Sequence, residues 1–114
     1  MKRVRVGAPA RGSTSGRPIM LLLDLLGRRT ALRILWELRE GKPLTFRALQ
    51  DAAETNPSVL NARLAELREV QIVAHAEGGY SLSPLGRELL GHLVPLHLWS
   101  ERWAKALAGS ARAR

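Results

Sequence analysis

Cysteine is absent from this 114-residue chain, so the protein can form no disulfide, no thiolate metal site and no thiol-based redox sensor. Aromatic residues are scarce, with three tryptophans, one tyrosine and one phenylalanine. The apolar stretch at 20–26 is far shorter than the roughly 20 residues of a membrane-spanning helix, and the first residues lack the apolar stretch of a secretory signal. These absences predict one leucine-rich, largely helical domain in the cytoplasm, without membrane contact.

The basic residues are unevenly distributed along the chain. The formal net charge is +8, from 18 Lys and Arg against 10 Asp and Glu. Seven of the basic residues lie within the first 17 or the last three positions, which leaves 11 bases against 10 acids elsewhere. We therefore expect a disordered basic arm at 1–17, a domain at 18–108 and a flexible basic tail at 109–114. Basic tails occur in DNA-binding proteins and also as solubility features.

Start and stop signals predict three helices in the first half of the domain. Pro18 is a good first-turn residue and Gly27 a good terminator, so the first helix lies between them. A second helix is expected at about 28–40. Thr45 is a suitable N-cap for a third helix at about 46–53. The inward stripe of the second helix is predicted to contain Ala31, Leu32, Leu35, Trp36 and Leu38.

A fourth predicted helix has the features of a helix that enters a groove. Asn56 is a good N-cap and Pro57 a good first residue. Leucines repeat at helical spacing along one side, at Leu60, Leu64 and Leu67. The remaining surface carries small or hydrogen-bonding side chains, which are Ser58, Asn61, Ala62, Arg63, Ala65 and Arg68.

A hairpin and a long helix complete the pattern. Gly78 and Gly79 are predicted to supply the positive φ angles of a two-residue turn between strands at 71–76 and 80–82. Ser83 and Pro84 then open a helix with a continuous apolar stripe. That stripe contains Leu85, Leu89, Leu93, Leu96, Trp99, Trp103 and Leu107.

The first and last helices carry more apolar surface than one small domain covers. In the first helix only Asp24 is polar, and a helix that is apolar on all sides must be buried on all sides. The last helix has a second apolar stripe beside the first. A homodimer joined through these two helices is therefore expected. Its predicted interface consists of Met20, Leu22, Leu23, Leu26, Leu89, Leu93, Leu96, Trp99 and Trp103.

The order of elements resembles a winged helix-turn-helix, and several motifs are similar to those of HxlR-type regulators, relatives of the MarR group. These motifs are LLGRRTALRILWEL, LTFRALQDAAETNPSVLNARLAELREVQIV, YSLSPLGREL and LWSERW, which together span about residues 20 to 105. The resemblance implies a mostly α fold with a small β-hairpin wing. It also implies a homodimeric DNA-binding transcription regulator that places the helix from Pro57 to Val70 in the major groove.

Three features depart from the family pattern. Thr30 stands where such proteins usually have a tryptophan. The hairpin turn is several residues shorter than the basic, proline-containing wing of the family. The cysteine that many members carry near the N-terminus is absent. The resemblance therefore implies neither wing contact with DNA nor thiol sensing for this chain.

Candidate contacts with double-stranded DNA follow from the groups that a major groove presents. Asn pairs in bidentate fashion with adenine and Arg with guanine, and residues near the start of a recognition helix reach base edges. The candidate base contacts are Ser58, Asn61, Ala62 and Arg63; alternatively, Arg63 pairs with Glu66. The candidate phosphate contacts are Arg28, Arg29, Thr45, Arg47, Asn56 and Arg68, each equally compatible with a solvated surface role. Lys2, Arg3 and Arg5 are candidates for a minor-groove arm.

Other functions have weaker support in the sequence. No phosphate loop, nucleophile elbow or catalytic triad can be recognised, so no enzyme activity is expected. His92 and His97 are five positions apart and do not share a helix face, so neither a metal nor another cofactor is expected. Trp99 and Trp103 are compatible with a pocket for an unknown small-molecule effector, although packing is their commoner role. The competing interpretation is a winged-helix module that binds protein instead of DNA.

Overall fold

Five helices and one β-hairpin make up the part of the chain that the structure describes, residues 16–113 of a computed structural model. In chain order they are α1 (Pro18–Leu26), α2 (Ala31–Glu37), α3 (Phe46–Ala53), α4 (Pro57–Glu69), β1 (Val73–Ala76), β2 (Gly79–Leu82) and α5 (Pro84–Ala113). The predicted fold, mostly α with a hairpin wing after a helix-turn-helix, is confirmed. The predicted contact between two subunits stays a prediction.

A leucine-rich core holds these elements together. On α4, Leu60, Leu64 and Leu67 are at most 2% exposed, as the leucine spacing predicts. Burying one such side chain contributes about 1.5–3 kcal/mol. The cluster joins α2, α3, α4 and the hairpin, and its buried members are Ile34, Leu35, Leu38, Leu49, Leu60, Leu64, Leu67, Ile72, Val73 and Leu82.

Side-chain caps fix where three of the helices begin. The Thr45 hydroxyl accepts a hydrogen bond from Ala48 N at 3.1 Å, and Asn56 Oδ1 accepts one from Val59 N at 2.8 Å. Ser83 Oγ accepts from Gly86 N at 3.0 Å at the start of α5. Each bond satisfies a backbone amide that has no partner within its helix. The caps predicted at Thr45 and Asn56 are thereby confirmed.

The buried face of α2 differs from the prediction. The helix begins at Ala31, and its buried residues are Ala31, Ile34 and Leu35. The prediction that Leu32 and Trp36 face inward is wrong, because they are 49% and 37% exposed. Successive helical positions are rotated by about 100°, so the stripe that begins at Ala31 and continues through Ile34 leaves these two residues on the neighbouring side.

The hairpin turn is displaced by one residue from its predicted position. Ala76 pairs with Gly79, so the turn residues are Glu77 and Gly78, and the prediction of a Gly78–Gly79 turn is wrong. Of the two glycines, only Gly79 has a positive φ, 121°, and it lies in β2. A Cβ at Gly79 would collide with the carbonyl oxygen of Leu44. This close approach places the glycine inside the strand.

The connection before α3 extends the hairpin by one bridge. Leu44 N donates to Tyr80 O at 2.9 Å, and Tyr80 N donates to Leu44 O at 2.7 Å. The bridge is antiparallel and joins the segment before α3 to β2. The wing is therefore fastened to the segment before α3 by backbone hydrogen bonds close to its turn.

Helix α5 has a packed first half and an exposed second half. Leu89, Leu90 and Leu93 pack against the core, whereas Trp99 and Trp103 are about half exposed. The helix continues to Ala113, so residues 109–113, expected in a flexible tail, are helical. Within residues 16–113, no helix combines the length and the apolarity that crossing a membrane requires.

Gly86 marks a second close approach that can be tested. A Cβ there would collide with the carbonyl oxygen of Ile72, while Gly91 of the same helix faces open space. We expect Gly86→Ala to lower the free energy of unfolding by about 1–3 kcal/mol. Gly91→Ala, the control, should raise it by about 0.5–1 kcal/mol. Urea unfolding followed by circular dichroism measures both, and equal stability of the two variants would show that α5 does not pack closely on Ile72.

Candidate nucleic-acid interface

Helix α4 has one buried side and one exposed side. Leu60, Leu64 and Leu67 anchor it in the core, while Ser58 and Asn61 are exposed. The predicted base contact Ala62 is half-buried, and the predicted phosphate contact Arg68 is exposed. A helix anchored on one side, with small and polar groups on the other, has the shape that a major groove accepts.

The first residues of α3 and α4 lie close in sequence to the exposed residues of α4. Thr45 and Asn56, both exposed, cap α3 and α4 with their side-chain oxygens. Amide groups at the start of a helix, together with the helix dipole, favour an anion such as a phosphate. Both residues are therefore accessible, and their phosphate contacts stay predictions.

Arg63 does not share the exposed side of α4. Two positions beyond Asn61, it is rotated by about 200° around the helix axis. Its Nη2 lies 3.1 Å from Glu66 Oε1 in an ion pair, and its side chain is only 20% exposed. Its Nε is buried without a hydrogen-bond partner. The structure thus has the intrahelical pair with Glu66, and the base contact stays a prediction that requires Arg63 to leave this pair.

Arg28 is bound by two carboxylates of the same chain. Its Nη1 donates to Glu66 Oε2 at 2.6 Å, and its Nη2 donates to Asp24 Oδ2 at 2.7 Å. Burial by itself would lower the pKa of Arg28, but the hydrogen bonds and charges of Glu66 and Asp24 outweigh it and raise that pKa. A phosphate contact by Arg28 stays a prediction that requires these bonds to be exchanged.

Four side chains of alternating charge are linked by successive ion pairs, and we call them the Arg28 network. Its members are Asp24, Arg28, Glu66 and Arg63. It joins α1 and the α1–α2 connection to α4. The carboxylates of Asp24 and Glu66 are only 3% and 10% exposed. The i,i+4 spacing of Asp24 and Arg28 is visible in the sequence, whereas Glu66 lies 38 residues beyond Arg28 and had no sequence signal.

The other predicted phosphate contacts are accessible. Arg29 follows α1, Arg47 lies on α3 and Arg68 near the end of α4, and all three side chains are exposed. The predicted minor-groove residues Lys2, Arg3 and Arg5 lie outside the described residues. These three accessible arginines therefore lie in three separate parts of the domain.

The helix-turn-helix carries little net charge. Within residues 45–70, three arginines stand against four carboxylates. The turn of the wing carries Glu77, and no lysine or arginine occurs between residues 73 and 82. This surface therefore offers little bulk electrostatic attraction for phosphates.

The histidines lie in separate places. His75 stacks on Tyr80 in the wing with ring centroids 4.1 Å apart, and His97 lies 5.4 Å from the ring of Trp36. Among the described residues, no group of three or more His, Cys, Asp or Glu side chains is arranged to hold a metal ion.

The predicted dimer residues divide into two groups. Leu26, Leu89 and Leu93 pack against the core of their own chain, and Met20 and Leu22 are half-buried. The other four are about half exposed or more, and they are Leu23 at 55%, Leu96 at 58%, Trp99 at 49% and Trp103 at 52%. Exposed apolar patches of this kind are typical of surfaces that contact another molecule, and the subunit contact stays a prediction.

An apolar groove of about 270 Å³ lies between α2 and α5. It is lined by Leu32, Leu35 and Trp36 of α2 and by Leu90, Leu93, Leu96, His97 and Ser100 of α5. The sequence could not show this groove, and neither Trp99 nor Trp103, the residues considered for an effector pocket, lines it.

Comparison with known proteins agrees with this geometry. The family model described as HxlR-like helix-turn-helix matches residues 25–108, which include α2, α3, α4, the hairpin and most of α5. The comparison with curated proteins gives no match. The family is one of DNA-binding transcription regulators, and its match confirms the resemblance drawn from the sequence motifs. This chain belongs to the HxlR-like helix-turn-helix family.

Proposed function

We propose that this protein is a sequence-specific transcription regulator that binds a pseudo-palindromic operator as a homodimer and represses transcription there. The observation that carries the proposal is the exposed polar side of α4, with Ser58 and Asn61 opposite a fully buried leucine anchor. Family membership supplies DNA binding; the operator, the dimer and the repression are our proposal.

Base recognition begins with Asn61. Its side chain is exposed near the start of α4, and a carboxamide makes two hydrogen bonds with the major-groove edge of adenine. Ser58 is exposed one turn earlier and can donate to or accept from a base edge. The methyl group of Ala62 suits apolar contact with a thymine methyl group. These three residues form the base-reading set that we propose.

Phosphate contacts hold α4 in register. Arg29, Arg47 and Arg68 are exposed on three different elements, and Thr45 and Asn56 present two helix starts. Contacts of this kind set the position of a protein on the duplex without reading its sequence. We propose that they flank the base-reading set, with the basic arm adding charge.

The exposed apolar side chains of α1 and α5 support a homodimer. Leu23 is 55% exposed on α1, and Leu96 and Trp103 are 58% and 52% exposed on α5. A two-fold dimer matches a pseudo-palindromic operator, with its two α4 helices one DNA turn apart, about 34–36 Å. A bound dimer represses by blocking access of polymerase to a promoter that overlaps the operator.

A winged-helix protein-interaction module is the second candidate. The observation that favours it is the charge of the helix-turn-helix, where three arginines stand against four carboxylates. An exposed α4 surface without a basic surround also suits a protein partner. The two candidates differ in whether the wild-type chain prefers one DNA sequence over another.

Selection from a library of random-sequence duplexes separates these two candidates. We expect the wild-type protein to enrich a pseudo-palindromic motif, because its base-reading set occurs once in each subunit. Binding of the enriched duplex and of a scrambled duplex is then measured by fluorescence anisotropy across a salt series. Equal binding to both duplexes that disappears with salt would remove the main proposal and favour the second candidate.

Substitutions on α4 should separate base contacts from phosphate contacts. We expect Asn61→Ala to relax the preference at one base pair of each half-site, by about 1–3 kcal/mol. Arg68→Ala should weaken all duplexes alike and reduce the salt slope by about one per subunit. Lys105→Ala, which removes an exposed charge from α5, is the control. An Asn61→Ala variant with the wild-type motif would exclude Asn61 as a base contact.

The dimer is tested by charging its proposed apolar surface. Because Leu23 and Trp103 are 55% and 52% exposed, Leu23→Asp with Trp103→Asp should leave the fold of each chain intact and give a monomer by sedimentation equilibrium. Lys105→Asp is the control, since position 105 lies about 200° around α5 from position 103. It should behave as the wild type. A doubly substituted protein that still sediments as a dimer would place the subunit contact elsewhere.

A further inference from the structure

We infer that Arg28 is a positioning residue for the recognition helix α4, acting on DNA binding through Glu66 without touching a phosphate. Arg28 connects α1, the helix assigned to the subunit contact, with α4, the helix assigned to base reading. The inference rests on the proposed function and adds a residue that sets its specificity from outside the DNA-contacting surface.

The geometry shows that Arg28 joins two separate elements. One terminal nitrogen donates to Asp24 of α1 at 2.7 Å, and the other donates to Glu66 of α4 at 2.6 Å. Both bonds are short and charge-assisted, which makes them among the stronger hydrogen bonds in proteins. A planar guanidinium fixes the directions of its donors, so the two carboxylates are held at a defined separation.

Burial makes this bridge necessary. The side chains of Asp24 and Glu66 are 3% and 10% exposed. Removing one partner of a buried ion pair is strongly destabilising, because the other charge stays out of solvent with less compensation. Arg63 also forms an ion pair with Glu66, at a longer 3.1 Å, but it lies on α4 itself and cannot connect α4 to α1. Arg28 supplies that connection.

The backbone beside Arg28 makes a second attachment to α4. Thr30 has φ 76°, an unfavourable value for a β-branched residue, which persists where surrounding contacts hold it. Its hydroxyl lies 3.4 Å from the hydroxyl of Thr55, which directly precedes the N-cap of α4. The α1–α2 connection therefore contacts the start of α4 through Thr30 and its C-terminal half through Arg28. These two contacts add to the leucine anchor of α4 and restrict the orientation of the helix against the α1–α2 connection.

A positioning role and a phosphate contact predict different behaviour in salt. A residue that neutralises a phosphate releases a counterion, and its loss lowers the slope of log K against log salt by about one. A residue that only orients α4 changes the preference for the correct sequence and leaves this slope unchanged. We expect loss of the exposed neighbour Arg29 to lower this slope and loss of Arg28 to leave it unchanged.

The test is a double-mutant cycle with the duplex that the wild-type protein enriches and with its scrambled control. The proteins are wild type, Arg28→Gln, Glu66→Gln and the double variant. We expect each single variant to reduce the preference for the enriched duplex at least about tenfold, with the wild-type salt slope. The double variant should lose no more than either single variant, because both substitutions remove one interaction. Arg29→Gln is the matched contrast and should lower the slope while keeping the preference.

Several outcomes would overturn the inference. Additive losses would show that Arg28 does not act through Glu66, and a slope reduced by about one per subunit in Arg28→Gln would assign Arg28 to a phosphate. Unfolding curves show whether each variant is folded at the assay temperature, since a purely structural role would lower stability and keep the preference. If the glutamine variants do not fold, Arg28→Lys decides, because it retains the charge but lacks the planar fork. Wild-type preference in Arg28→Lys would exclude the positioning role.

The failure of this inference is distinguishable from failure of the proposed function. If the wild-type chain enriches no motif, the proposed function is wrong and the inference falls with it. If the wild-type chain enriches a motif and the Arg28 variants keep the preference for it, only the inference is wrong.

Discussion

The burial of one leucine face of α4 is the constraint on which the rest of the structure depends. Leu60, Leu64 and Leu67 are at most 2% exposed, and they contribute to one core with α2, α3 and the hairpin. Because side chains three or four positions apart share a helix face, burying these three residues determines which groups of α4 remain outside. Burial of the leucine face thus leaves Ser58 and Asn61 exposed.

Charge has a different role in this molecule from the one that its composition suggests. The net charge of +8 belongs mostly to the chain ends. Inside the domain, the arginine with the clearest structural role is Arg28, which compensates two buried carboxylates. A buried ion pair contributes little to stability compared with apolar packing, but it fixes which groups face one another. The Arg28 network therefore defines an arrangement of helices more than it stabilises the fold.

The features that the sequence predicts correctly depend on interactions between residues that are close together in the chain. Two such features are the caps at Thr45 and Asn56 and the leucine spacing of α4. They depend on neighbours within one or two helical turns, so the sequence predicts them. The exposure of Leu32 and Trp36 depends on how α2 lies against the core. The turn position depends on the approach of Leu44 to Gly79, which is a contact between distant segments. The pairing of Arg28 with Glu66 depends on a separation of 38 residues, beyond the reach of any periodic pattern. The candidate site was thus predictable in its exposed polar residues and in the short-range pair of Arg63 with Glu66, and unpredictable in the long-range partner of Arg28.

The bridge between Leu44 and Tyr80 has a consequence for how this wing can change in evolution. A two-stranded hairpin alone is marginally stable in water, but here β2 is fastened to the segment before α3 by two backbone hydrogen bonds at Tyr80. The bridge lies beside the turn, because Tyr80 follows Gly79, the partner of Ala76, and a Cβ on Gly78 would contact Pro43. Exposed loop tips are the positions at which proteins best tolerate inserted residues, but this turn packs beside another segment of the domain. A longer and more basic wing is therefore accessible to this lineage only through an insertion that keeps Gly79 and Tyr80 against Leu44.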